Sequence, residues 1–256
     1  MTNPQELLHD PRFLRASTYD AEWILENQMG PNALWLTEWL VQAMDLRRGM
    51  RVLDLGCGKA LSSIFLAREF GVQVWAADLW IPPTENWARI QAQELGERVY
   101  PLRAEAHALP FAEGFFDAIV CVDAYAYFGT DDLYLSYLHR FVREGGSIGI
   151  VVPGLMREFD GPVPEHLARR QASGGVFWGP DCWSLHTADW WRHHWARTGL
   201  VEVEVADTLE GGIDLWRRWD QAVQASGAGH FPSDAEVLEA DGGRYLGFVR
   251  MVARRA

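Results

Sequence analysis

VLDLGCGKA, from Val52 to Ala60, decides the fold. Val52 to Leu55 is a short apolar run suited to a buried strand, while Leu61 to Phe70 reads as a helix closed by Gly71, a residue that tolerates a left-handed cap. Between them stand Gly56 and Gly58, whose missing side chains let the backbone bend and approach a ligand at a helix N-terminus. A dinucleotide fingerprint would carry a third glycine where Leu61 stands, so a nicotinamide cofactor is disfavoured.

Working outward, Val72 to Ala77 returns as a strand with Asp78 at its tip, twenty residues beyond Gly58. A carboxylate there can accept hydrogen bonds from both hydroxyls of a ribose, which points to an adenosine-like ligand. Thr84 is placed to cap a helix ending at Gly96, and Val99–Leu102 and Ala118–Val122 supply two more strands. Thr130, followed by Asp131 and Asp132, predicts a helix running to about Val142, and Gly145-Gly146 turns the chain into Ile148–Val152. Upstream, Ala21 to Leu46 shows helical apolar spacing broken at Gly30-Pro31, so two helices precede the core. The alternation predicts an α/β fold with a mainly parallel central sheet, helices on both faces and ligands outside the carboxyl ends of the strands.

The later half changes character. Residues 154–186 are rich in glycine, proline and aromatic residues without a periodic core, and read as a lid or insertion. Thr187 begins a helix to Thr198, Val201–Val205 alternates as a strand, Leu215–Val223 is helical, and Tyr245–Val252 is an antiparallel closing strand. One domain over residues 1–256 accommodates all of these.

Apolar residues make up 48% of the chain, enough to build a substantial core, and the formal net charge of −12 opposes both nucleic-acid backbones and anionic membranes. No apolar stretch approaches the roughly 18 residues of a membrane span, and Met1 to Arg12 lacks a signal-peptide apolar segment, so a cytoplasmic protein is expected. Cys57, Cys121 and Cys182 are odd in number and widely spaced, which favours reduced thiols. His193 shares a helix face with Asp189 but lacks further ligands at diagnostic spacing, and no metal is expected.

Four segments in order then resemble the class I S-adenosylmethionine-dependent methyltransferases, particularly the branch with quinone-biosynthesis and cyclopropane-fatty-acid-synthase-like enzymes. VLDLGCGKA looks like their first motif, and Asp78 matches their ribose-binding acid. RAEAHALPF, Arg103 to Phe111, is similar to their adenine-binding segment; FDAIVCVDAYAYF, Phe116 to Phe128, resembles their fourth strand and acceptor edge; and LHRFVREGGSIGIVVP, Leu138 to Pro153, resembles the helix, double glycine and fifth strand that follow. Ala60 stands where the family usually has a third glycine, and Glu105 where aspartate is commoner. The resemblance implies a Rossmann-like methyltransferase fold and a cofactor site of Asp54, Gly56, Cys57, Gly58, Asp78, Leu79, Glu105, Ala106 and Asp123, for S-adenosylmethionine.

Methyl transfer needs an acceptor lone pair in line with the methyl group and the departing sulfur, and orientation alone can supply much of the rate. Asp123 and Tyr125, placed by the resemblance near the transferred methyl, and His186, entering the helix after the lid, are the candidate catalytic residues. Tyr125, Tyr127 and Phe128, facing Trp178, Trp183 and His186 of the lid, are expected to form an aromatic acceptor site for a small molecule. Lys59, the only lysine, is read as a solvated loop side chain, with pairing to the cofactor's methionine carboxylate as the alternative. Cyclopropane-type lipid modification and a non-catalytic cofactor-binding scaffold are the alternatives.

Overall fold

The computed structural model describes residues 3–172, 174–227 and 233–256. The chain enters through α1 (Pro4–Leu7), α2 (Ala21–Glu26) and α3 (Ala33–Val41). Asp20 caps α2 by accepting from the Trp23 N–H at 2.8 Å, and Asn32 caps α3 by accepting from Leu34 and Trp35. Then follow β1 (Arg51–Leu55), α4 (Leu61–Phe70), β2 (Gln73–Asp78), α5 (Pro83–Ala92), β3 (Val99–Arg103), β4 (Phe116–Val122), α6 (Tyr134–Leu138) and β5 (Val142–Leu155). The last elements are α7 (Glu165–Ala168), α8 (Ala188–Ala196), β6 (Val201–Thr208), α9 (Gly212–Ser226), α10 (Ala235–Asp241) and β7 (Leu246–Arg255).

The seven strands form one sheet in the order β3-β2-β1-β4-β5-β7-β6. All pairings from β3 to β5 are parallel, and β7 runs antiparallel to both β5 and β6. The mainly parallel sheet and antiparallel closing strand expected from the sequence are both present. Successive strand residues point to opposite faces, so β1 splits its side chains between two cores. Val52 packs with Leu34, Leu40, Ile64 and Phe65 from α3 and α4, whereas Leu53 and Leu55 pack with Tyr134, Trp191 and Trp195 from α6 and α8. Among the described residues, no helix is long and apolar enough to cross a membrane.

Several local expectations differ from the structure. α5 starts at Pro83, whose absent N–H suits the first helical position, so Thr84 lies inside the first turn and does not cap it. The helix expected from Thr130 shrinks to α6 and a 3-10 turn over 139–141. Asp131 closes a local turn instead, accepting from the Leu133 N–H at 2.8 Å, and Val142 already belongs to β5. Gly145-Gly146 lies in a bulge within β5: the register moves from Phe116 opposite Val142 to Ala118 opposite Ser147, with Gly145 at φ +68°. α9 is longer than its expected Leu215–Val223, and α10 was not anticipated.

Described residues of the 154–186 stretch pack against α9 and α10. Leu167 is fully buried, the Trp178 N–H donates to its carbonyl, His166 Nε2 pairs with Asp241 at 2.9 Å, and the Phe177 ring lies against Trp216. Gly154 and Leu155 complete β5 by pairing with Gly247 and Leu246.

Candidate functional site

At the carboxyl end of β1 the backbone turns through three left-handed residues, Gly56 (φ +73°), Gly58 (φ +52°) and Ala60 (φ +64°). The Gly56 and Cys57 N–H groups both donate to the Ala77 carbonyl of β2, and the Asn86 amide of α5 donates to the Gly58 carbonyl at 2.9 Å. A Cβ at Gly56 would lie 2.4 Å from that of Ala124, so glycine is required there by packing as well as by φ. Asp78 fastens the loop from the other side: Oδ2 accepts from the Gly58 N–H at 2.8 Å, and Oδ1 accepts from the Trp80 and Ile81 N–H groups. Those bonds take three of the roughly four lone-pair sites of a carboxylate, leaving room for one ribose hydroxyl rather than two.

Asp54 lies behind the loop. It is fully buried, and its Oδ2 accepts from the hydroxyls of Ser62 and Ser63, at 2.6 and 2.5 Å, tying β1 to the first turn of α4. Burial pushes its carboxyl up to about 6, although the two hydroxyls oppose the rise.

The loop forms one wall of a cavity of about 300 Å³. Gly56, Cys57, Gly58, Asp78, Leu79, Glu105, Ala106, Asp123, Tyr127 and Phe128 all line it. Glu105 is half exposed and holds His107 through its backbone N–H and its Nδ1, both at 2.9 Å, and this pairing keeps the Glu105 carboxyl below its ordinary value. The Cys57 thiol is buried, which raises it well above the usual thiol range and makes it inert.

Asp123 is the most unusual group in the cavity. Its backbone is left-handed at φ +57°, anchored by its N–H to the Val151 carbonyl at 2.8 Å. Burial alone pushes its carboxyl up to about 7, and among the described residues no side-chain or backbone donor is bonded to it. Gly30 makes room for it: a Cβ there would sit 2.2 Å from Asp123 Oδ2.

Five residues expected at the site do not line the cavity. Asp54 acts behind the loop, as described. Tyr125 is fully buried among Phe128, Tyr134, Trp191 and Trp195. Trp178 packs edge-on against Phe159 and Trp183, and Trp183 is 65% exposed, so its large apolar surface remains in solvent. His186 stacks on Trp190 with centroids 3.6 Å apart, and burial depresses its basicity. The turn over 180–184 contacts residues 125–127.

The opposite wall went unforeseen. Asn27, Met29, Gly30, Pro31 and Ala33, from the α2–α3 turn, close over the glycine loop, and Met29 Sδ would lie 2.9 Å from a Cβ on Gly58. The Gly30-Pro31 break was the only sequence signal, and it marked a bend rather than a wall. Trp80, exposed at 70%, and Tyr127 meet edge to face at the mouth with centroids 6.3 Å apart. Lys59 also lines the cavity, its Nζ donating to the Glu26 carbonyl at 3.0 Å in an exposed hydrogen bond.

Residues 52–146 match the family model described as a methyltransferase domain. This match makes residues 52–146, less than half of the chain, similar to a methyltransferase domain. The chain is 31% identical over 116 residues to methyltransferase GfsG of Streptomyces halstedii, covering 45% of this chain and 42% of that protein. It is 33% identical over 117 residues to a demethylmenaquinone methyltransferase of Thermus thermophilus, covering 44% and 53%. The chain thus spans about half the length of the curated relatives it matches. Phosphoethanolamine N-methyltransferase 2 of Haemonchus contortus, solved with S-adenosyl-L-methionine, superposes with a TM-score of 0.68 at 16% identity, covering 100% of this chain and 60% of that one, a likeness of fold.

Proposed function

We propose that this protein transfers a methyl group from S-adenosylmethionine to a small-molecule acceptor within the cavity between the glycine loop and the α2–α3 turn. The observation that carries this reading is that one cavity collects two sets of groups. On one side lie the left-handed Gly56–Gly58 loop, Asp78, Glu105 and Ala106; on the other lie the unbonded Asp123 carboxylate and the rings of Tyr127 and Phe128.

The donor set fits the cofactor. Gly56 and Gly58 present bare backbone at a helix N-terminus, Asp78 retains a lone pair for a ribose hydroxyl, and the Glu105–Ala106 edge follows β3 at the position expected for the adenine. When bound, the cofactor supplies an electrophilic methyl group on a positively charged sulfur. Asp78 and Asp54 keep the loop rigid, the α2–α3 turn excludes water, and Asp123 stands ready to receive an acceptor proton.

Calorimetry with S-adenosylmethionine, S-adenosylhomocysteine and NAD tests the cofactor assignment. Binding of the two sulfur nucleosides without NAD is expected; NAD binding without either would overturn it. Incubation of the protein with isotopically labelled cofactor and a metabolite extract, followed by mass spectrometry, tests transfer and identifies the acceptor.

A further inference from the structure

The cavity's charges narrow the acceptor. Asp78, Glu105 and Asp123 place three carboxylates on its walls, against two basic side chains that are already engaged, Lys59 with the Glu26 carbonyl and His107 with Glu105. Asp78 and Glu105 already accept from backbone and ring donors, so of the three Asp123 alone presents a carboxylate with no protein partner among the described residues. An anionic acceptor would meet uncompensated negative charge there and, among the described residues lining the cavity, find no free cation. Tyr127 and Phe128 line the same space, and aromatic faces attract cations.

Resting on the methyltransferase reading, we propose that the acceptor is a protonatable amine whose nitrogen is held against the Asp123 carboxylate, with Tyr127 and Phe128 beside it. The ammonium proton passes to Asp123, freeing the nitrogen lone pair. That pair forms the new N–C bond as the C–S bond breaks with its electrons remaining on sulfur, and Asp123 then releases the proton to water. A carboxyl held near neutrality by burial is suited to both taking and returning that proton. Gly30 is then a positioning residue, since any side chain there would push the carboxylate from its place.

The test is binding of benzyltrimethylammonium and of its neutral isostere, neopentylbenzene, to protein saturated with S-adenosylhomocysteine. The quaternary ammonium cannot be methylated, so binding is read alone. The cation is expected to bind about tenfold or more tightly than the isostere, with Asp123→Asn removing the preference and Tyr127→Ala weakening it several-fold. Asparagine tolerates the left-handed backbone at position 123, and Tyr127 is 62% exposed, so at least one variant retains the fold. Equal affinity for both probes, or a preference that survives both substitutions, overturns the proposal. So does an Asp123→Asn variant that keeps the preference but loses discrimination between S-adenosylmethionine and S-adenosylhomocysteine, because Asp123 would then serve the donor's positive sulfur. Failure of S-adenosylhomocysteine to bind at all would instead defeat the methyltransferase reading itself.

Discussion

Replacing Asp54 by asparagine should flatten the pH dependence of stability. In the folded protein its carboxyl is pushed from 3.8 to about 6, chiefly by complete burial, against the hydroxyls of Ser62 and Ser63. At roughly 1.4 kcal/mol per pH unit, that rise corresponds to about 3 kcal/mol. The sign follows from proton binding. A carboxyl with a folded value above its unfolded value holds its proton more tightly when folded, so the ionised form costs stability. The cost is full above about pH 6, about half remains at pH 5, and nearly none below 3.8. The comparison is denaturant unfolding of wild type and Asp54→Asn, without ligand, at pH 8 and pH 5. On moving to pH 5 wild type should gain about 1.5 kcal/mol relative to the variant, which is roughly 3 to 6 °C in melting temperature for a chain of this size. Asp123 and Asp234, raised to about 7 and about 6, share the same sign and cancel between the two proteins. The asparagine amide has no acceptor where Oδ1 stands unpaired, which lowers the variant's stability at every pH without changing the slope. Parallel pH profiles would refute the reasoning and imply that Asp54 is hydrated or already protonated throughout.

Three further outcomes follow from the site. Asp78→Ala should weaken cofactor binding by about 1.5 to 3 kcal/mol by removing a charged hydrogen bond and releasing the Gly58, Trp80 and Ile81 N–H groups; calorimetry on a variant with native circular dichroism checks it, and unchanged affinity removes Asp78 from the site. Gly30→Ala, whose Cβ would sit 2.2 Å from Asp123 Oδ2, should lower methyl-transfer turnover about tenfold or more while the melting temperature moves little, because the short carboxylate can rotate away; wild-type turnover would show that its position is immaterial. With Asp123 acting as the proton acceptor, log kcat/KM should rise with unit slope below about pH 7 and level above it; a profile flat from pH 5 to 8 would exclude that role.

The part of the fold legible in the sequence is the part controlled locally. A buried strand, residues that tolerate positive φ and a helix start are adjacent in the chain, so VLDLGCGKA located the left-handed loop between β1 and α4 without knowledge of tertiary contacts. Even its departure is instructive: Ala60 keeps the left-handed conformation at φ +64°, a strain of about 1 to 2 kcal/mol, rather than reshaping the loop. Residue type was less informative where the answer depended on which way a side chain faces. Tyr125 and Tyr127 stand two apart in one short turn, yet the first is fully buried and the second 62% exposed. His186 and Trp178 had the chemistry of an acceptor wall, but ordinary aromatic packing claimed them. The wall that does face the glycine loop comes from residues 27–33, roughly a hundred positions before Asp123, and only contact across that gap reveals why position 30 is glycine. A motif marks where a backbone can meet a ligand; the groups opposite it, which decide what acceptor can enter, are set by packing between segments that no local spacing connects.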